Sequence, residues 1–295
     1  MSRKRIEITT SRTAEWTCLC RAISSLEKSR FYQSDDRLAI SLLPYFVMFL
    51  VRIPFAGRLF LKIFAAKGIY EYVISRTKYI DAVFKQALSD RFAQILIFGA
   101  GFDTRALRFQ GRPQKTRIFE LDALSTQEAK VGQYQKRRLR IPSNLAFIAI
   151  DFDKELLSDK LDMAGFDKEG KSLFIMEGLL MYLDPESVHR TFQTIGEYAG
   201  TGSLVVFDYI RASVLRHEDT VYGESGIAQS VLKAGEQWRF GIEPVEVEQF
   251  VKAYGFELND HKCAQELEAT YFQDADGRLV GRVNATHCIV TALRR

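Results

Sequence analysis

Five short apolar runs constrain this 295-residue chain more than any other feature: ILIF (95–98), RIFEL (117–121), LAFIAI (145–150), SLFIM (172–176) and SLVVFD (203–208). Each is four to six residues long and rich in Ile, Val, Leu and Phe, the composition of strands buried on both faces of a parallel sheet. The intervals between them can each hold the crossover helix that right-handed βαβ connections require. Downstream, PVEVEQFVKAYGFELND (244–260) and ATHCIVTAL (285–293) supply one more helix and two more strands. Upstream, residues 1–90 carry helical periodicity and few strand patterns. The expected fold is α/β. A doubly wound, mostly parallel seven-stranded sheet occupies 91–295, an N-terminal helical cap occupies 1–90, and 209–243 reads as a lid insertion after the fifth strand.

Charge separates the function classes. The 41 Lys+Arg and 37 Asp+Glu give a net charge of +4. Residues 1–30 hold seven basic and three acidic groups, so the remainder carries 34 of each sign and offers no general nucleic-acid surface. The KRRLR run (136–140) reads as a solvated helix face, with RNA binding as its alternative. Glu7, Glu15 and Glu27 argue against a transit peptide in the basic N-terminus, and cytoplasmic residence is expected. The four cysteines are read as free thiols, and with no zinc spacing and no H-E-x-x-H pattern no metal is expected. The most apolar stretch, LLPYFVMFLV (42–51), is only ten residues and contains Pro44. It falls well short of the ~20 residues of a spanning helix. A buried helix is the first expectation for it, ahead of a substrate-pocket wall or a membrane-surface patch.

In open α/β sheets, ligands bind outside the carboxyl ends of the strands. Chemistry-bearing residues stand directly after four of the apolar runs. Gly99, Ala100 and Gly101 follow the first, and the glycines permit a tight turn and close ligand approach. Thr104 occupies the place of the third glycine in a dinucleotide fingerprint, and Asp103 would repel a pyrophosphate. Asp122, with Glu120 two residues earlier, ends the second run and suits a ribose diol. Asp151 and Phe152 follow the third and suit an adenine. Glu177 and Gly178 follow the fourth and face the middle of the crevice. The set fits a positively charged adenosine cofactor better than a phosphorylated one.

SRTKYIDAVF (75–84), ILIFGAGFDTRALRF (95–109), FELD (119–122), AIDF (149–152) and FIMEGLLMYL (174–183) together resemble the leucine carboxyl methyltransferase family. The likeness is strongest to its branch of small-acid and polyketide O-methyltransferases, and FGIEP (240–244) with GFEL (255–258) extends it. The resemblance implies a class I methyltransferase fold and S-adenosyl-L-methionine as cofactor. It places Arg76 on the methionyl carboxylate, Gly99, Ala100 and Gly101 under the cofactor, Asp122 on its ribose and Asp151–Phe152 on its adenine. Glu177 would lie near its amine or sulfonium, with Gly178 beside it.

The acceptor expected from this reading is a small apolar carboxylic acid, polyketide- or lipid-like. A carboxylate is already ionised at neutral pH and needs no general base. A phenol would need one, and His217 in the lid is the histidine nominated, with Tyr182, Tyr209 and Arg211 on the acceptor side. The alternatives are a protein C-terminal carboxylate as acceptor, an RNA-modifying relative, and a non-catalytic adenosine-binding scaffold.

Overall fold

A computed structural model describes residues 11–53, 55–109, 115–227 and 237–295. The strands are β1 (Gln94–Phe98), β2 (Arg117–Asp122), β3 (Leu145–Ala149), β4 (Ser172–Met176), β5 (Leu204–Ile210), β6 (Phe256–Lys262) and β7 (His287–Arg294). They form one sheet in the order β3-β2-β1-β4-β5-β7-β6. β1 to β5 pair in parallel, and β7 runs antiparallel between β5 and β6. The seven strands and their mostly parallel arrangement match the expectation from the apolar runs.

Strand β1 shows why the runs are continuous rather than alternating. Ile95 and Ile97 face a core that includes Ile23 of α1 (Arg12–Ser24) and Ile74 and Ile80 of α5 (Ile69–Ser89). Leu96 and Phe98 face the opposite core, shared with Leu161 of α8 (Leu157–Met163), Phe192 of α9 (Pro185–Tyr198) and Val251 of α11 (Val247–Lys252). Side chains alternate along a strand, so a strand covered on both sides is apolar at every position. Each fully buried side chain of this size contributes about 1.5–3 kcal/mol. The N-terminal helices are therefore one of the two layers over the sheet. Helix α5 buries Ile69, Val73, Arg76, Ile80, Phe84 and Ala87 at helical spacing. A charged Arg76 on that stripe marks a buried polar site.

Three expectations need correction. The run 42–51 is not a buried helix: its last 7 residues form α3 (Tyr45–Val51), in which Phe46 and Phe49 are each 70% exposed and only Val51 is buried. Pro44 ends α2 (Leu38–Leu42), and α3 packs on α4 (Ala56–Phe64), which leaves its aromatic face outward. Two of the four cysteines are not free, because Cys263 and Cys288 form a disulfide. The β6–β7 register, which pairs Lys262 with Ile289, brings the next pair of residues face to face across 25 positions of sequence. His261 lies against the same sulfurs, so a three-ligand cluster exists that sequence spacing hid, although the disulfide leaves no thiolate to ligate. The insertion expected after the fifth strand does not begin at 209. Tyr209 and Ile210 belong to β5, α10 (Ala212–Leu215) follows, and 228–236 of the expected lid lie outside the described residues.

Candidate active site

The strand order reverses between β1 and β4, and a crevice of about 510 Å³ opens beyond their carboxyl ends. Gly99, Ala100, Gly101, Asp103, Asp122, Asp151, Phe152, Glu177 and Gly178 all line it. Gly99 and Gly101 adopt positive φ (60° and 46°), and a Cβ on Gly101 would approach Ala14 of α1 to 3.1 Å. The floor is thus backbone, roofed closely by the first helix. Asp122 holds that turn in place, accepting from Gly101 N at 2.5 Å and Ala123 N at 2.6 Å. Burial raises its carboxyl above the usual value, a rise those two backbone donors oppose. Phe152 packs toward Phe98 with ring centroids 5.9 Å apart, and its neighbour Asp151 pairs with Lys154.

Glu120 does not join this set. It lies within β2, buried, with Oε2 on Lys130 Nζ of α7 (Leu124–Lys136) at 2.6 Å. Burial pushes its carboxyl up to about 7, against the Lys130 cation. Asp103 lines the crevice, but its carboxylate is turned to Arg105 of α6 (Arg105–Arg108). Burial opposes its ionisation, yet Arg105, Lys130 and Arg21 outweigh that and hold it down at about 2.

A chain of buried ion pairs runs behind the crevice. Arg21 meets Asp36, Asp36 meets Arg108, and Arg108 meets Asp81. Asp81 accepts from Arg105 at 2.7 Å, and Arg105 reaches Glu177 at 2.7 Å. Glu177 accepts from Arg76 Nε at 3.1 Å, and Arg76 Nη1 donates to Asp208 at 2.6 Å. Asp208 also accepts from Tyr72 Oη at 2.8 Å and Gly178 N at 2.6 Å. Burial disfavours the charge on Glu177, but Arg105 and Arg76 prevail and keep it ionised. The sequence reading missed Asp208, Asp81, Arg105 and Arg108. Asp208 closes the fifth apolar run as Asp122 closes the second, so the signal was present there.

A second cavity of about 290 Å³ adjoins the crevice and shares Thr13, Thr17, Arg76, Gly178 and Tyr182 with it. Trp16, Phe64, Tyr72, Met181, Trp238 and His287 give it a largely apolar wall. Trp238 Nε1 is buried there with no hydrogen-bond partner. His287 stacks on Tyr72, with ring centroids 4.4 Å apart. Its tautomer follows from its neighbours. Asn284 Nδ2 donates to the carbonyls of Lys67 and Gly223, which fixes Asn284 Oδ1 as an acceptor. Thr286 Oγ1 spends its one proton on that oxygen at 2.5 Å, so at 2.7 Å it must accept from His287 Nδ1–H. Nε2 is left with a lone pair. Burial pushes the imidazole down to about 3, keeping it neutral.

Three nominated acceptor-side residues lie elsewhere. Tyr209 is core, its hydroxyl bonded to His261 at 2.9 Å. Arg211 Nε donates to the Ala285 carbonyl, and exposed His217 lines neither cavity. Tyr182 is the fourth residue nominated for the acceptor side. It adjoins both cavities, with its hydroxyl 3.2 Å from Thr13 Oγ1.

This sheet order, with its glycine turn and strand-end acids, defines a class I methyltransferase. Solved structures agree on the fold. A "putative methyltransferase" from Thermobifida fusca superposes with a TM-score of 0.60 at 16% identity, covering 96% of this chain and 98% of that one. A DUF574 family protein from Streptomyces avermitilis gives 0.59 at 15% identity, covering 99% and 100%. The chain belongs to the leucine carboxyl methyltransferase family, which it matches over residues 17–196. It is accordingly an S-adenosylmethionine-dependent methyltransferase. "Putative S-adenosyl-L-methionine-dependent methyltransferase YktD" of Bacillus subtilis is 25% identical over 206 residues, 70% of this chain and 67% of that protein. A relative of the same description from Frankia alni, FRAAL3836, is 28% identical over 216 residues, 70% of each chain. The chain spans a smaller share, 46%, of a Streptomyces coelicolor relative, SCO7813, that is 32% identical over 131 residues.

Proposed function

We propose that this chain transfers a methyl group to an oxygen of a small, apolar acceptor held in the second cavity. One observation carries the reading: an apolar chamber opens off the cofactor crevice at Arg76 and Gly178. The positive-φ glycine turn leaves the crevice floor as bare backbone, since a Cβ at Gly99 or Gly101 would press on Leu179 or Ala14, and the acids around it suit a cationic ligand. In this reading Asp122 takes the ribose, Asp151 and Phe152 the adenine, and Gly99, Ala100 and Gly101 lie beneath. Arg76 meets the methionyl carboxylate, and Glu177 supplies negative potential beside the sulfonium. When bound, the cofactor supplies an electrophilic methyl group on a positively charged sulfur.

The polar groups of the second cavity favour a hydroxyl, the second acceptor class considered from sequence. A neutral imidazole with its Nε2 lone pair free accepts a hydrogen bond from a phenol or enol and can take its proton. His287 gains a positive charge in the step in which the cofactor loses one. The buried site therefore moves a charge rather than creating one, which offsets the low basicity of a buried imidazole. The apolar wall excludes water, and alignment alone contributes roughly 7–11 kcal/mol in well-oriented reactions. His287 thus takes the role assigned earlier to His217. A carboxylic acid acceptor, the first class considered, is favoured instead by Trp238 Nε1, a donor without a partner that could hold the non-reacting oxygen.

A labelling experiment separates the two. The protein is incubated with methyl-labelled S-adenosylmethionine and matched panels of phenols and apolar carboxylic acids, and the products are then treated with alkali. Label that survives is in an ether, whereas label released as methanol was in an ester. Transfer to neither panel, with cofactor binding intact by calorimetry, would sink the small-acceptor reading.

A further inference from the structure

We infer that the chain docks on anionic lipid bilayers through the outward face of α3 and α4. Of the seventeen large hydrophobic side chains exposed in the described residues, ten fall between Tyr45 and Phe64. Phe46 and Phe49 are each 70% exposed, Leu59 is 59%, Ile63 63% and Phe55 85%. Monomeric proteins rarely leave such contiguous apolar surface without a partner. The surrounding charge says which partner. From Arg37 to Tyr70 the chain carries five basic residues and no acidic one. Arg52, Lys62 and Lys67 are exposed among the apolar side chains. The KRRLR run abuts the same face. Arg137 lies 3.7 Å over the Tyr45 ring and donates to the Ser41 and Leu43 carbonyls. Lys136, Arg138 and Arg140 beside it are exposed.

Apolar side chains ringed by cations are the signature of a helix pair lying in the bilayer interface, with aliphatic and aromatic groups in the acyl boundary and cations at anionic headgroups. A second copy fits less well, since a two-fold contact brings the same cations of both copies together. An RNA partner fits less well too, since bases would stack on the aromatic rings but leave Leu50, Ile53, Leu59 and Ile63 uncovered, whereas a bilayer buries both kinds. The face is large enough for interfacial binding only, because no helix among the described residues is long and apolar enough to cross a membrane. Phe64 belongs both to this face and to the wall of the second cavity. An apolar acceptor could therefore enter that cavity from lipid, a consequence that rests on the acceptor reading above.

The test is co-sedimentation of the full chain with phosphatidylglycerol–phosphatidylcholine vesicles and with phosphatidylcholine vesicles alone, beside F46S/F49S and K136Q/R138Q/R140Q variants. Binding about a hundredfold or more stronger to the anionic vesicles is expected, the worth of three cations at about fivefold each. The serine variant should lose about tenfold or more, and the charge variant about fivefold per cation in contact with headgroups. Cofactor affinity by calorimetry should be unchanged in both, which separates failure of docking from failure of the methyltransferase reading. Three results would overturn the inference: no binding to anionic vesicles, unchanged vesicle binding by F46S/F49S, or a dimer in sedimentation that this variant abolishes while vesicles are ignored. Preference for a single-stranded RNA over the vesicles would overturn it as well.

Discussion

The two cavities that meet at Gly178 are built on opposite plans. The crevice is assembled from strand ends, each contributing one or two residues just past a run of buried apolar side chains. Its charged groups are locked by neighbours, so Glu177 has both oxygens on arginines and Asp122 has both on backbone amides. The second cavity draws on segments scattered from Arg12 to His287 and has a largely apolar wall, in which Trp238 Nε1 has no partner and His287 is engaged through Nδ1. The contrast separates holding from reacting. In the proposed reading, a constant ligand is met by fixed dipoles and a rigid ion chain, whereas the reacting group meets the His287 lone pair and the Trp238 donor in a largely apolar wall.

The largest effect should come from the wall between them. Asp208→Asn leaves Arg76, Tyr72 Oη and Gly178 N facing an amide in place of a fully buried carboxylate. Removing one partner of a buried pair costs about 3–5 kcal/mol, which chemical denaturation would read directly. Stability unchanged by this substitution would mean that the ion chain does not hold the two cavities together. On the acceptor side, His287→Gln should lower methyl transfer to a phenol by about 100-fold, the low end for a general base. It should leave cofactor affinity and ester formation near wild type. His217→Ala, on the exposed surface, should change neither.

Acid should discriminate the cavities without any substrate. His287 sits near 3 folded against an ordinary 6.5, because burial disfavours its cation. Below pH 6.5 the unfolded chain binds a proton that the folded chain refuses, so stability falls as pH drops. The loss between pH 6.5 and 4.5 is about 2 kcal/mol. His287→Gln should flatten that slope in pH-dependent denaturation, and an unaltered slope would place the imidazole in a wetter environment than the structure has. Smallest is Trp238→Phe, expected to cost about tenfold in turnover of an acceptor bearing a second oxygen, the worth of one hydrogen bond of about 1–1.5 kcal/mol. Acceptors lacking that oxygen should show no loss.

The same division governs what could be read in the sequence. Strands buried on both faces announce themselves as unbroken apolar runs, and the residue after each run is the one that reaches the crevice. Asp122, Asp151 and Glu177 follow from that rule alone. Glu120 fails it, because it sits one pleat back inside β2 and is answered by Lys130, a partner ten residues away on a helix face. Contacts set by register and packing leave no local mark. Cys263 meets Cys288, and His287 meets Tyr72, through a pairing of β7 that no spacing encodes. The 42–51 run misled for a related reason. Hydrophobicity says that a face wants to leave water, and only the fold says whether this chain supplies the cover.

The antiparallel strand β7 also sets an order of events. It is the last of the seven strands to be synthesised, yet it lies between β5 and β6. A nascent chain can therefore close the β1–β4 switch point, and with it the cofactor crevice, while the position next to β5 is still empty. Until β7 inserts, β6 has no neighbour in the sheet and the acceptor chamber has no His287. In the proposed reading, the residues assigned to the cofactor all precede β7 in the chain, and the proposed base, His287, arrives with that last strand.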